Sequence, residues 1–285
     1  MRSARFRGAA AAHPLTPASP RPILRVHPVR PMLCISPPQF DQLAQGVRSR
    51  ASRRMIAHVE QHFALQARLA GRPAVEALVE ACYRQGIALS LNGERDLMCL
   101  LSLQLYYGIG VTRDRQFAVF NEILGRDDVA TPSARIVRAW REGMAFHDRI
   151  AGADGALHRQ AIGRLAGRGL QRLAADTTPI DAAGAQALMA ELWPEKHAVL
   201  AAVEAAATPG LLTQVSAFAR QQRIGGPGNA RLLLALAWVF GIDFALDPML
   251  PPMSALPAAA ATGDRTALAA ADAFLQRIVD PTGAA

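Results

Sequence analysis

One stretch of this chain occurs twice. Shifted by 133 residues, residues 97–114 meet residues 230–247, and Leu100, Leu101, Leu103, Gly108, Ile109 and Asp114 coincide with Leu233, Leu234, Leu236, Gly241, Ile242 and Asp247. Those identities exceed the roughly two expected by chance for such compositions. Each copy is preceded by a helix pair and by a turn rich in glycine or asparagine, though a gap of about four residues is needed to extend the match. A duplicated unit constrains the fold, because an apolar face that one copy exposes is most readily buried against the other.

The pattern around the repeat is helical. Ser36 before Pro37 opens a helix, since the hydroxyl can cap free amides and proline suits the first turn. It is predicted to run to about Ala70, with Phe40, Leu43, Val47, Met55, Val59 and Phe63 on one stripe. Pro73 opens a second helix that buries Val75, Leu78, Val79 and Cys82 and ends near Gly86. After Asn92 and Gly93, Glu94 starts a third, too densely apolar from 97 to 107 for a surface helix. A short helix follows over 116–124, and Thr131 with Pro132 caps another that runs to about Ile150.

The same order returns as helices over 188–207, interrupted near Trp193 and Pro194, over 211–222, and over 231–240. Pro248, Pro251, Pro252 and Pro257 stop the pattern, and 262–279 forms a last helix with Leu268, Ala271, Leu275 and Ile278 on one face. No segment alternates apolar and polar residues. The expectation is an all-α bundle or array of two divergent copies, 32–165 and 166–280, between a disordered tail over 1–31 and a disordered end over 281–285. Residues 1–31 hold six prolines and six arginines without an acid, which suits neither a helix nor a core; Met32 also reads as an alternative natural start.

Charge narrows the function classes. The net charge is +8, but Arg2, Arg5, Arg7, Arg21, Arg25 and Arg30 supply most of it, so the helical part carries little excess and argues against nucleic acid as the partner. Among 31 basic residues only Lys196 is a lysine, which reads as the codon bias of a GC-rich genome. Cys34, Cys82 and Cys99 are odd in number and widely spaced, which fits reduced thiols rather than a disulfide framework. The longest apolar run, residues 232–242, is about half of a membrane span, and the N-terminus lacks the apolar core of a secretory signal, so the expected location is the cytoplasm.

Candidate chemistry is sparse. His58 and His62 stand four residues apart, a spacing that puts both imidazoles on one helical face as zinc ligation requires. Val59 occupies the place that the glutamate of zinc proteases takes, and a third ligand would have to come from His147, His158 or a distant carboxylate. The glycine-rich turn at 225–228 lacks the Lys-Ser or Lys-Thr of a phosphate loop. Asp127 with Asp128, and Asp148 with Asp154, read as helix caps before they read as acid and base. The residues therefore imply no catalytic group, no cofactor and no assured metal. The aromatic residues Tyr106 and Tyr107, with Trp238 and Phe240 in the second copy, are core or, if half-exposed, a groove for a partner helix.

Several short motifs carry a resemblance. M-L-C-I-S-P-P-Q at 32–39, R-R-M-I-A-H-V-E-Q-H-F at 53–63, Y-R-Q-G-I at 83–87, G-E-R-D-L at 93–97 and F-H-D-R-I-A-G-A-D-G at 146–155 are similar to a family of uncharacterised helical proteins of proteobacteria. Its members tend to be encoded beside type VI secretion spike or tip proteins and polymorphic toxins. The resemblance covers roughly residues 32–165 and implies an accessory, adaptor or chaperone-like role with a neighbouring effector or spike component as partner. No catalytic residue is established for that family. This chain departs from it in having Tyr106, Tyr107 and Gly108 where the family runs through L-G-P-D-F-D, and in its second half; Gly241, Ile242, Asp243 and Phe244 come closer to that motif. Two functions are thus expected from different classes: a non-enzymatic module that binds a protein partner, and a metal-dependent hydrolase or toxin using His58 and His62.

Overall fold

The computed structural model describes residues 36–126, 131–203 and 207–280. The expected tail over 1–31, Cys34, the pair Asp127 and Asp128, and residues 281–285 lie outside them. Among the described residues there are fourteen α-helices and no strand. The chain divides into two units after Ala44. The described part of the first is the opening of α1 (Pro37–His62), where the Gln39 Oε1 accepts from the Ser36 amide at 2.9 Å and from its hydroxyl at 3.0 Å, one half of a capping box. Leu43 is 57% exposed there.

The unit from Gln45 onward contains both copies. In the first, the remainder of α1 is followed by α2 (Ala64–Ala70), α3 (Arg72–Ala88), α4 (Glu94–Tyr107), α5 (Ala118–Gly125) and α6 (Pro132–Ala151). The predicted single helix to Ala70 is in fact broken at Phe63, whose φ of −126° and ψ of 41° leave the helical region. Neither glycine nor proline marks this break. The buried stripe also begins later than predicted, at Ala51, and runs through Met55, Ile56, Val59, Phe63 and Ala67, while Val47 is 66% exposed.

Between the copies lie α7 (Ala156–Arg168) and α8 (Leu170–Ala175), in a stretch for which the sequence named no helix. The position near 165 where one half was expected to give way to the other falls inside α7, which packs on α6, α9, α12 and α14. The second copy comprises α9 (Ala182–Leu192), α10 (Pro194–Val203), α11 (Ala207–Gln221), α12 (Pro227–Phe240), α13 (Leu256–Thr262) and α14 (Arg265–Val279). The prolines after Asp247 do not end the helical pattern. Pro251 and Pro252 start a 3-10 turn and Pro257 sits in the first turn of α13, where a missing amide costs nothing.

The duplication extends far beyond the matched helix. With the offset of 133, α4 and α12 begin and end at corresponding residues, and both stop at a glycine of φ near 88°, Gly108 and Gly241. Ahead of them, Ser90 and Arg223 are corresponding non-glycine residues with φ of 57° and 56°. Behind each, the amides of Leu91 and Ile224 close the preceding helix on Gly86 and Ala219, both at 2.8 Å. Downstream, the corresponding Thr131 and Asp264 cap α6 and α14. Upstream the offset becomes 130: Phe63 donates to Val59 at the α1–α2 break, and Trp193 donates to Met189 at the α9–α10 break.

α4 and α12 are the centre of the core. α12 buries every residue from Leu232 to Phe240, as a helix apolar on all sides must. Full burial of a leucine contributes about 2 kcal/mol, so the Leu232, Leu233, Leu234 and Leu236 run anchors the second copy. The ends of the two helices meet. A methyl group on Gly108 would overlap the Phe240 carbonyl oxygen, and one on Gly241 the corresponding carbonyl of Tyr107. Both glycines are therefore required twice, by their left-handed φ and by this backbone contact.

Candidate functional site: a cleft at the seam between the copies

Two buried aspartates hold the meeting point. Asp114 accepts the Gln116 amide on Oδ1 and the Ile242 amide on Oδ2, each at 2.9 Å. Asp247 accepts the Met249 amide at 2.9 Å and also the amide of Ile109. Gln116 and Met249 correspond under the duplication, as do Ile242 and Ile109. Each carboxylate thus caps its own following turn and the helix end of the other copy. Burial pushes both carboxyl groups up, that of Asp247 to about 6.

The surroundings of the two aspartates have diverged. Beside Asp114 lies Lys196, whose ammonium is buried, donates to the Trp238 carbonyl at 2.5 Å, and stands 4.4, 4.9 and 5.1 Å from the rings of Trp238, Trp193 and Phe117. Burial pulls this ammonium down from the usual lysine range and the Asp114 carboxylate pushes it back up. From the sequence Lys196 reads as codon bias, and its signal is that it is the single lysine of the chain.

On the Asp247 side a cleft of about 640 Å³ opens along the seam. The α1–α2 break supplies His62 and Phe63, the end of α4 supplies Tyr106 and Tyr107, α6 supplies His147 and Asp148, and α12 supplies Phe240. Phe63 packs edge-on against Tyr106 at 5.2 Å, and Tyr106 lies 4.2 Å from His147. At the rim, Asp154 is a non-glycine residue of φ 53° between Gly152 and Gly155. The lining carries the carboxylates of Asp148, Asp154 and Asp247 against one guanidinium, Arg159.

Buried acceptors without partners add to this polarity. Gln104 is 1% exposed; its amide nitrogen donates to Gln85 at 2.5 Å and its Oε1 has no partner. His158 stacks on Trp193 at 4.7 Å and bonds the Val239 backbone, while its buried Nε2 has no partner. Both residues line the cleft. Burial drives His158 down to about 3, so its imidazole is neutral and can accept a hydrogen bond. Burial likewise lowers His147.

Of the four aromatic residues singled out in the sequence, Tyr106, Tyr107 and Phe240 line the cleft and Trp238 lies at Lys196 instead. Tyr106 is half-buried; the Tyr107 hydroxyl is committed to the Gly143 carbonyl at 2.5 Å. The rings of His58 and His62 are 4.6 Å apart, and His58 is lowered by burial and then by His62. Only His62 of this pair lines the cleft. Among the described residues no group of three His, Cys, Asp or Glu side chains could hold a metal ion. Cys82 and Cys99 are free and buried, and burial raises the Cys82 thiol to about 12, far from a reactive thiolate. Gly228 of the glycine-rich turn has its own structural reason, since a Cβ there would overlap the Ala174 carbonyl oxygen. Among the described residues no helix is long and apolar enough to cross a membrane. Compared with models of protein families, with curated proteins and with solved structures, the chain matches none of them.

Proposed function

We propose that this protein is a non-enzymatic binding module that holds a segment of a protein partner in the seam cleft. The observation that supports this reading is the cleft itself. Its volume of about 640 Å³ falls within the range of sites that enclose a ligand, and its walls combine aromatic surface with buried acceptors awaiting donors. An unsatisfied buried acceptor costs about 1–3 kcal/mol, which a partner's donor would recover on binding. The resemblance of residues 32–165 to effector-associated helical proteins makes the partner a neighbouring type VI effector or spike component. The role is that of a cytoplasmic adaptor or chaperone-like protein.

The test is co-expression with the products of adjacent genes. A stable complex is expected with one of them, and Ala64→Trp, at an exposed position of the cleft lining, is expected to weaken it at least tenfold. If no neighbouring product binds, or if Ala64→Trp leaves the complex unchanged, the reading fails.

A further inference from the structure

The duplication gives the cleft an internal template. Under the offset of 130, Trp193 and Lys196 correspond to Phe63 and Gln66; under the offset of 133, Trp238, Asp114 and Phe117 correspond to Leu105, Asp247 and Leu250. Phe63, Gln66, Leu105, Asp247 and Leu250 all line the cleft. The cleft is therefore the counterpart, in one copy, of the box that encloses the Lys196 ammonium in the other.

The hydrogen bonding of the box explains why a cation belongs there. Asp114 takes the amide of Ile242, so the Trp238 carbonyl loses its normal helical donor and accepts from Lys196 instead. In the other copy Asp247 takes the amide of Ile109, which bonds the carboxylate rather than the carbonyl of Leu105. A carbonyl, a carboxylate and an aromatic ring thus recur around the cleft, but the residue in the place of Lys196 is the exposed Gln66. The unpartnered Oε1 of the buried Gln104 lies in the same lining.

We infer that the seam cleft binds a primary alkylammonium group, held by the Leu105 carbonyl and the Phe63 ring, as Lys196 is held by the Trp238 carbonyl and its surrounding rings, with the Asp247 carboxylate as the neighbouring countercharge that Asp114 is for Lys196. The inference rests on the binding-module reading and gives its partner a chemistry: a lysine side chain presented by the bound segment. The cation would gain a carboxylate, a helix-terminal carbonyl and a ring face, each favourable to positive charge. The cleft has a volume of about 640 Å³, whereas the box around Lys196 is closed over its own buried side chain.

Calorimetric titration of the full chain with Nα-acetyl-lysine methylamide, its Nε-acetylated form and cadaverine tests this. Binding of the lysine probe is expected, weakened at least about tenfold by Nε-acetylation, which removes the charge and donors. Gln66→Lys, at an exposed position that tolerates substitution, supplies an internal ammonium and is expected to reduce probe binding by a similar factor. The inference is overturned if neither amine binds, if the acetylated probe binds equally well, or if Gln66→Lys changes nothing. Binding of cadaverine without the lysine probe would uphold the ammonium site and refute a partner segment as its source. A partner complex sensitive to Ala64→Trp in a protein that binds neither amine would refute the ammonium site and uphold the module.

Discussion

Asp114 and Asp247 are each hydrogen-bonded to the amide that follows the other's helix-ending glycine, Ile242 for Asp114 and Ile109 for Asp247. Because both also cap their own following turn, each carboxylate ties two backbone segments, and removing one leaves two buried amides without acceptors. Asp247→Ala is expected to destabilise the protein by about 2–5 kcal/mol in urea unfolding, given about 1–3 kcal/mol per buried group left unpaired. A loss below about 1 kcal/mol would mean that water replaces the carboxylate.

The same residue sets a pH dependence. Burial raises the Asp247 carboxyl from 3.8 to about 6, so the folded protein holds this proton more tightly than the unfolded chain does. Its contribution to stability is fully present below about pH 4 and lost as pH rises through 6, a change on the order of 3 kcal/mol. Subtracting the stability profile of Asp247→Asn from that of the parent protein isolates it, and a flat difference between pH 4 and 7 contradicts the assignment.

His158 acts in the opposite sense. Its imidazole is driven from 6.5 down to about 3 by burial, so below pH 6.5 the unfolded chain takes up a proton that the folded chain refuses. The stability it contributes is present above pH 6.5 and lost as pH falls toward 3. His158→Phe, which keeps the stacking surface on Trp193, is expected to resist acid better than the parent in thermal melts at pH 4–5. Equal acid sensitivity would show that the histidine is protonated in the folded state.

Lys196 and Asp114 form a buried pair in which the double replacement is expected to cost less than the loss of Lys196 alone. Lys196→Met leaves the Asp114 carboxylate buried without its cation and is expected to cost about 3–5 kcal/mol. Adding Asp114→Asn removes the stranded charge and is expected to restore part of the loss. A double-mutant cycle measures this, and strictly additive changes would mean that the two groups do not sense each other.

At Gly108 the backbone and its neighbour agree. Gly108→Ala meets a φ of 89° and the Phe240 carbonyl together, and a loss of about 2–5 kcal/mol in urea unfolding is expected from left-handed strain plus overpacking. Gly125→Ala, where a Cβ meets nothing within 4 Å, is the matched control and should change stability little.

Much of this fold is legible because local residues carry it. Thr131 with Pro132, Gly93 before Glu94, and Pro194 after Trp193 mark helix boundaries through capping or a missing amide, and the boundaries lie at or beside these residues. The break at Phe63 has no mark in the sequence because packing makes it: the ring turns toward Tyr106 without any breaker residue. The prolines after Asp247 are ambiguous in the sequence, because proline in a first turn starts a helix as readily as it ends one. For the site, the sequence showed that Asp114 and Asp247 coincide, yet an aspartate beside a turn ordinarily caps it locally. Their exchange of partners across the seam is a tertiary fact. The same holds for Lys196, whose neighbours Phe117 and Trp238 lie in other helices.

The exchange at the glycines also bears on how the two copies can exist. A single copy, severed from the other, would bury an aspartate that has lost one amide and expose a helix end that has lost its cap. Repeats of this kind cannot be removed one at a time, as the internal units of a long solenoid can. A chain cut in the turn at Gly169 should yield complementary fragments that regain structure only when mixed.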